Sequence, residues 1–199
     1  GKTTQAIDMA LDTLARLHGV DWRALGLADF GRPEGYLARQ RALWSRQYAA
    51  TRAEATPTLD ALRDWLEAQP VPQDATAIVH GDFRIGNLVI HEHEPRVVAV
   101  LDWELATLGH SLADLAYNCM TYHLPAGDPI AAGFAGVDIA ALGIPSAADY
   151  LAAYARRTGR SSRRNRTRSA SSRTACTCPP SCTRPGRIFS IATCRRTGW

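Results

Sequence analysis

Long apolar runs are missing from this sequence of 199 residues, and so is the apolar stretch of a signal peptide near its start. A transmembrane helix needs about 20 predominantly apolar residues in succession, and a secretory leader needs a shorter apolar stretch behind its basic residues. The opening residues, GKTTQAIDMALDTLARLHG, interrupt their apolar positions with polar ones every few residues. These absences lead us to expect a cytoplasmic protein that has no membrane partner.

Acidic residues are absent from residues 156–199, which contain 12 arginines and no lysine. Residues 1–155 hold all 19 acidic residues against 11 basic ones, so the net charge is −8 there and +12 in the remainder. Four of the five cysteines also lie in the basic part. The overall charge of +4 therefore describes neither part, and the chain is interpreted as two segments.

The basic segment lacks the patterns that would give it a function. Its cysteines have no paired C-x-x-C spacing and no nearby histidine, which a zinc site would need. No aromatic residues alternate with the arginines, as they would in a typical nucleic-acid-binding surface. A mixture of Arg, Ser, Thr, Pro and Cys is what a GC-rich gene gives when it is translated out of frame. We expect residues 160–199 to be disordered or frameshifted, and we do not expect a nucleic-acid partner.

Apolar periodicity in the acidic segment predicts an α+β fold that is mainly helical. Helices are predicted over residues 4–18, 36–54, from an N-cap at Thr58, from residue 111 onward and over 146–157. The aromatic residues Trp44, Tyr48 and Trp65 fall at helical spacing and are predicted to be in the core. Short β-branched runs at 77–79, 87–90 and 97–101 predict strands that form a small β-hairpin.

Two carboxylates and a carboxamide follow the ends of these strand-like runs. Asp82 lies just after the first run, with Asn87 five positions on, and Asp102 ends the third. Loops at the ends of adjacent strands can bring these groups into one cleft, where phosphoryl transfer needs a base and hard oxygen ligands for Mg²⁺. HGDFRIGN keeps the His, Asp and Asn at the offsets of a kinase catalytic loop. The alternative is that all three are turn residues, since Asp and Asn favour turns.

Three longer segments resemble the aminoglycoside phosphotransferase family, whose members have a protein-kinase-like fold. VHGDFRIGNLVI and VVAVLDWELATLGHSLADLAYN resemble its catalytic region, and LARLHGVDWRALGLADFGRPEGYLARQ resembles the start of its C-terminal lobe. Within the family, the resemblance is strongest to the branch of small-molecule kinases that includes the kinase-like domains of acyl-CoA dehydrogenase family members 10 and 11.

The resemblance implies an ATP-dependent kinase that phosphorylates a hydroxyl group of a small molecule. By position, Asp82 would be the catalytic base, and Asn87 and Asp102 would bind Mg²⁺. ATP or another nucleoside triphosphate would be the phosphoryl donor. Two alternatives stay open: a kinase-like binding or regulatory module without catalysis, and a nucleic-acid binder that uses the basic tail.

Three further residues would support this site. By resemblance, His80 would brace the catalytic loop, Glu104 would place an acid near the metal, and Asp114 would tie the following helix to the catalytic region. Residues 1–159 would be the C-terminal, catalytic lobe. The nucleotide-covering loop, strand lysine and helix glutamate of an N-terminal lobe have no counterpart here, so we expect that lobe to be absent and this polypeptide alone to be nearly inactive.

Overall fold

The computed structural model describes residues 1–51, 56–70, 76–127 and 132–159. The predicted disordered or frameshifted tail, 160–199, lies outside the described residues. The described part contains five α-helices: α1 (Lys2–His18), α2 (Tyr36–Thr51), α3 (Pro57–Ala68), α4 (Leu112–Met120) and α5 (Ala147–Arg157). None of these helices is long and apolar enough to cross a lipid bilayer.

Four short strands complete the described part and confirm the mixed α+β character. They are β1 (Thr76–Val79), β2 (Leu88–Ile90), β3 (Val97–Val100) and β4 (Thr107–His110). The strands form two separate antiparallel pairs, β1 with β4 and β2 with β3. Short 3₁₀ turns, Ile85–Asn87 and Trp103–Leu105, precede β2 and β4.

The predicted single hairpin is therefore only half of the β structure. The β2–β3 hairpin forms as expected, but residues 80–87, HGDFRIGN, which are called the catalytic loop after the resemblance, lie outside it. The loop joins β1 to β2, which belong to different sheets. The prediction missed β4 because its sequence, TLGH, is short and contains a glycine, whereas strand signals rest on β-branched and aromatic runs.

The predicted starts and ends of α1 and α5 agree with the structure to within two residues, and α2 begins at the predicted residue 36. The end of the predicted second helix, residues 52–54, lies outside the described residues. The disagreement is at α3. That helix begins at Pro57, with Thr56 rather than Thr58 in the N-cap position. Proline suits the first helical position because its missing N–H would have no intrahelical partner there. At α5, the backbone N–H of Asp149 donates to the Ser146 hydroxyl at 3.1 Å, so Ser146 caps the helix.

The main hydrophobic core lies where α1, α4 and α5 meet the catalytic loop. Its buried members are Ala10, Leu11, Leu14, Ala15, Phe83, Leu88, Leu115, Cys119, Tyr150 and Tyr154. Neither α2 nor α3 has a fully buried residue. The prediction of a core position is wrong for Trp44, whose exposed fraction is 47%, while Tyr48 and Trp65 are half-buried. The three helices of the core are thus the ones that support the loop.

Candidate active site

The backbone of the catalytic loop is held by the carboxylate of Asp114, in the first turn of α4. Its Oδ2 accepts the backbone N–H of His80 at 2.8 Å, and its Oδ1 accepts that of Gly81, also at 2.8 Å. The Asp114 side chain is 1% exposed. Buried carboxylates are stable only when hydrogen bonds replace their hydration, and the loop supplies two of these bonds. Asp114 therefore joins α4 to the backbone of the loop.

Two other helices hold Asp114 in turn. His18, at the end of α1, places its Nε2 3.1 Å from Asp114 Oδ2, and its Nδ1 lies 2.7 Å from the Tyr154 hydroxyl of α5. All three side chains are buried. A chain of buried polar groups thus runs from α5 through α1 and α4 to the loop backbone.

His80 connects the loop to the end of β3. Its Nδ1 accepts the backbone N–H of Asp82 at 3.3 Å, and its Nε2 lies 2.9 Å from the Leu101 carbonyl oxygen. The neutral imidazole with its proton on Nε2 satisfies both contacts. The ring is fully buried and lies 4.8 Å, centroid to centroid, from that of Trp103. These contacts let His80 brace the loop and leave neither ring nitrogen for a reacting group.

Gly81 allows the loop to pass close to the segment before β4. Its φ of +88° is a left-handed conformation, and an added Cβ would lie 2.8 Å from Leu105 Cβ and 2.9 Å from the Leu105 carbonyl oxygen. Only glycine adopts such a conformation at no steric cost. The glycine of the HGD motif is therefore required by the path of the backbone.

Asp82 projects from this braced loop and is partly exposed, with 22% of its side chain accessible. Asn87 Nδ2 donates to the Asp82 carbonyl oxygen at 2.9 Å and to its Oδ2 at 3.1 Å. Arg84 Nε lies 3.3 Å from the same Oδ2. Two of the three residues selected from the sequence are thus in direct contact. Since the amide nitrogen of Asn87 donates to Asp82, its amide oxygen is the atom that could ligate a cation.

Asp102 follows Leu101, the residue that lies opposite Asn87 across the β2–β3 hairpin. The backbone N–H of Leu101 donates to the Asn87 carbonyl oxygen at 2.8 Å, which places Asp102 one residue beyond the last rung of the ladder. Asp102 is exposed and adopts φ 67° and ψ 55°, the one left-handed non-glycine conformation in the described part of the chain. Such conformations cost on the order of 1–3 kcal/mol and occur often at functional sites.

Glu104 lies two residues further on, exposed in the 3₁₀ turn Trp103–Leu105. Over the described ranges, no group of three or more His, Cys, Asp or Glu side chains could hold a metal ion. The site offers instead one carboxylate and one amide oxygen at the end of the hairpin. Any ion bound there would take its other ligands from water or from a bound molecule.

Sequence reasoning missed three residues of this site. Arg84 lies inside the motif and its charge was an available signal. His18 falls within the predicted helix 4–18. The signal for its role was its place among leucines on an apolar face, where a histidine needs a buried polar partner. Burial, with a smaller contribution from the charge of Asp82, raises the pKa of Tyr117 of α4 to about 12. The signal for it was its position three residues after Asp114, on the same helical face.

The chain matches a family model described as a phosphotransferase enzyme family over residues 2–162. Acyl-CoA dehydrogenase family member 10 of Mus musculus is 42% identical over 151 residues, which cover 75% of this chain and 14% of the relative. Acyl-CoA dehydrogenase family member 11 of Gallus gallus is 49% identical over 121 residues, or 60% of this chain and 16% of the relative.

Solved structures show the same relationship. A crystal structure of a proposed aminoglycoside phosphotransferase from Ralstonia eutropha is 46% identical, with a TM-score of 0.74, and the match covers 79% of this chain and 48% of that one. A macrolide 2′-phosphotransferase from Brachybacterium faecium is 20% identical, with a TM-score of 0.51 over 77% of this chain and 45% of that one. This second likeness concerns the fold alone. The chain thus spans less than half of either solved protein and under a fifth of either acyl-CoA dehydrogenase relative.

Proposed function

Because this chain belongs to the phosphotransferase enzyme family, we propose that its catalytic-loop site transfers the γ-phosphoryl group of ATP, or of another nucleoside triphosphate, to a hydroxyl group of a small molecule. In this proposal Asp82 is the general base, and Asn87 and Asp102 are the Mg²⁺ ligands. His80 and Asp114 position the loop, and Glu104 adds negative charge near the metal.

The observation that carries the proposal is the contact between Asn87 and Asp82. A single amide side chain donates to the base through its nitrogen at 3.1 Å and keeps its oxygen for another partner. This divides the residues by role: Asp82 is left to accept a proton, while the neighbouring amide and Asp102 supply hard oxygen ligands. Turn residues alone would have no need of a fixed contact between side chains five positions apart.

The donor set fits Mg²⁺ bound together with a nucleotide. Mg²⁺ in such enzymes is held by one or two protein groups while phosphate oxygens and water complete its octahedral shell. In this proposal, Asp102 and the Asn87 amide oxygen provide two oxygen ligands of this kind, which the position of Asp102 one residue beyond the last rung of the hairpin supports. When bound, the ion would neutralise charge on the phosphate oxygens during transfer.

The chemical step that Asp82 would perform is a proton transfer. The acceptor oxygen forms a bond to the γ-phosphorus, the bond from that phosphorus to the β,γ-bridging oxygen breaks, and the proton of the acceptor hydroxyl moves to the Asp82 carboxylate. General-base assistance of this kind contributes about 10²- to 10⁴-fold in rate. The remaining contribution comes from positioning, to which His80, Gly81 and Asp114 contribute by fixing the loop.

We further propose that residues 1–159 are the catalytic, C-terminal lobe of a protein-kinase-like fold. The match over residues 2–162 and the coverage of just under half of the Ralstonia eutropha structure support this division. The acceptor would be a small hydroxylated molecule, and residues of this lobe would supply the base and the metal ligands.

The proposal is tested by measuring phosphoryl transfer from radiolabelled ATP to a panel of small hydroxylated compounds, with Mg²⁺, by this chain joined to the N-terminal part of the Ralstonia eutropha relative, because the chain alone is expected to be nearly inactive. We expect Asp82→Asn to reduce the transfer at least about 100-fold. The matched control is Asp64→Asn, which removes a carboxylate that is 64% exposed on α3 and should leave the rate unchanged.

Equal rates for wild type and Asp82→Asn would contradict the base assignment. If the joined protein phosphorylates no compound in the panel, the proposal fails. In that case, Mn²⁺ binding with a nucleotide, followed by paramagnetic broadening of NMR signals at Asn87 and Asp102, would identify a binding module that lacks catalysis.

A further inference from the structure

One amide side chain of α4 binds the loop backbone just after Asp82. Asn118 Nδ2 donates to the Phe83 carbonyl oxygen at 2.8 Å and to the Asp114 carbonyl oxygen at 3.0 Å. An amide nitrogen has two hydrogens, so each of them has a carbonyl acceptor. On the other side of the amide, the Tyr150 hydroxyl of α5 donates to Asn118 Oδ1 at 3.3 Å. Because a carbonyl oxygen can only accept, the two carbonyl groups fix which end of the amide meets the loop.

This contact and the Asp114 carboxylate hold the loop on opposite sides of Asp82. Before Asp82, the carboxylate of Asp114 accepts two loop N–H groups at 2.8 Å each. After Asp82, the carbonyl group of Phe83 accepts from Asn118. Asp114 and Asn118 are spaced i, i+4 on α4, so they share one helical face. The backbone on both sides of Asp82 is therefore bound to a single face of one helix.

Phe83 anchors the same segment through its side chain. Its ring is buried and belongs to the main hydrophobic core. With the ring in the core and the carbonyl group bound to Asn118, the backbone torsions of Phe83 are restricted. Asp82 is the next residue toward the N-terminus, and its side chain is partly exposed. The direction in which Asp82 leaves the backbone is therefore fixed, while its carboxylate stays accessible.

We propose that Asn118 is a positioning residue for phosphoryl transfer, whose amide fixes the direction in which the loop presents the Asp82 carboxylate to the acceptor hydroxyl. This inference rests on the proposed function of Asp82. Its physical basis is that a base is effective only within hydrogen-bond reach of the proton it accepts, and small displacements are expensive in rate. Without the amide, the Phe83 carbonyl group would lose this donor, and the segment after Asp82 would depend on the packing of the Phe83 ring.

The contact itself is tested on this chain without any activity. Of the four phenylalanines in the sequence, only Phe83 is followed by arginine. Labelling phenylalanine with ¹³C at the carbonyl group and arginine with ¹⁵N therefore gives one coupled NMR signal. We expect Asn118→Leu, which is similar in size but has no donor, to move the Phe83 carbonyl signal upfield, because a hydrogen bond withdraws electron density from the carbonyl carbon.

Ser146→Ala is the matched control for this measurement. It removes the hydroxyl that caps α5 and should lower the urea midpoint of unfolding. It does not touch the amide of Asn118, so the Phe83 carbonyl signal should stay in place. If Asn118→Leu does not fold, Asn118→Ala takes its place, since it removes the donor without placing an apolar branch against the two carbonyl groups.

The role is tested in the transfer assay with the joined protein. We expect Asn118→Leu to lower kcat about 10- to 100-fold with the KM for ATP unchanged, because the base is misaligned while nucleotide binding is not affected. Ser146→Ala should keep kcat within about twofold of wild type. Urea midpoints are measured alongside, and a kcat loss that Ser146→Ala does not share supports positioning over a structural role.

Three results would overturn the inference: an unmoved Phe83 carbonyl signal in Asn118→Leu, a kcat loss no larger than that of Ser146→Ala, or a change in KM for ATP alone. These are separable from failure of the proposed function. If Asp82→Asn abolishes transfer while Asn118→Leu does not alter it, only the role of Asn118 is refuted. If the joined protein with the wild-type sequence transfers nothing, the proposed function fails and the role of Asn118 fails with it.

Discussion

Replacing Asp114 with asparagine isolates the energetic value of the contact that holds the catalytic loop. The carboxylate accepts the backbone N–H groups of His80 and Gly81 on different oxygens, each at 2.8 Å, with 1% of the side chain exposed. Asparagine keeps the size of the side chain but has one oxygen and one NH₂ group. Either orientation of the amide therefore leaves one of the two loop N–H groups facing a donor.

The expected loss of stability follows from this one loop N–H group that loses its acceptor. A buried N–H without an acceptor costs about 1–3 kcal/mol, and a hydrogen bond to a charged group contributes about 1.5–3 kcal/mol. We therefore expect Asp114→Asn to lower the free energy of unfolding by about 2–4 kcal/mol. This is a large fraction of the 5–15 kcal/mol that is typical of a domain, although an asparagine-containing chain can still fold.

Urea unfolding at neutral pH measures this loss, with Asp64→Asn as the matched control. Asp64 is 64% exposed and pairs with Arg63 on the surface, so its substitution should change stability by less than about 0.5 kcal/mol. Amide hydrogen exchange supplies a local reading, because protection at His80 and Gly81 should decrease more than protection at the centre of α1. A loss for Asp114→Asn no larger than that for Asp64→Asn would refute the reasoning.

Two further predictions concern the loop glycine and a half-buried phenol. Gly81→Ala should destabilise the chain by about 1–3 kcal/mol more than Gly26→Ala in thermal unfolding. Both glycines have positive φ, but only Gly81 of the two has neighbours within 3 Å of an added Cβ. Equal losses of stability would contradict the close approach to Leu105. Burial raises the pKa of Tyr122 to about 12, so the folded chain holds this proton more tightly than the unfolded chain and stability should fall as pH rises from 10 toward 12. Tyr122→Phe should make that fall shallower in urea midpoints measured across this range, and an unchanged slope would count against the assignment.

The helices were largely predictable because apolar periodicity reports directly on which face is buried. The periodicity of α1 and α5 predicted their positions, and both contribute buried residues to the main core. It was less informative for α2, where Trp44 follows helical spacing yet is 47% exposed. Periodicity shows that a face is apolar, but burial also requires a neighbour in the fold to cover it, and a local pattern contains no information about that neighbour.

The contacts of the candidate site are likewise of two kinds: some join residues close in the sequence, and others join residues far apart in it. Asp82 and Asn87 are five residues apart, so their spacing in the motif could predict the contact that the structure contains at 3.1 Å. The contact between His18 and Asp114 joins residues 96 positions apart, and that between His18 and Tyr154 joins residues 136 positions apart. Such pairs depend on how helices pack and have no signature within a motif.

Stability and catalysis are consequently assigned to different carboxylates of the same loop region. Asp114 is buried and accepts two N–H groups of the loop backbone, so its substitution should lower the stability of the fold. Asp82 is partly exposed and its backbone is held by other residues, so its substitution should leave the fold intact while removing the proposed base. The variants Asp82→Asn and Asp114→Asn should therefore differ in two assays. Asp82→Asn should keep the wild-type free energy of unfolding and lose phosphoryl transfer, whereas Asp114→Asn should have a lower free energy of unfolding. If both lost stability equally, Asp82 would be a structural turn residue, and the phosphotransfer proposal would lose its base.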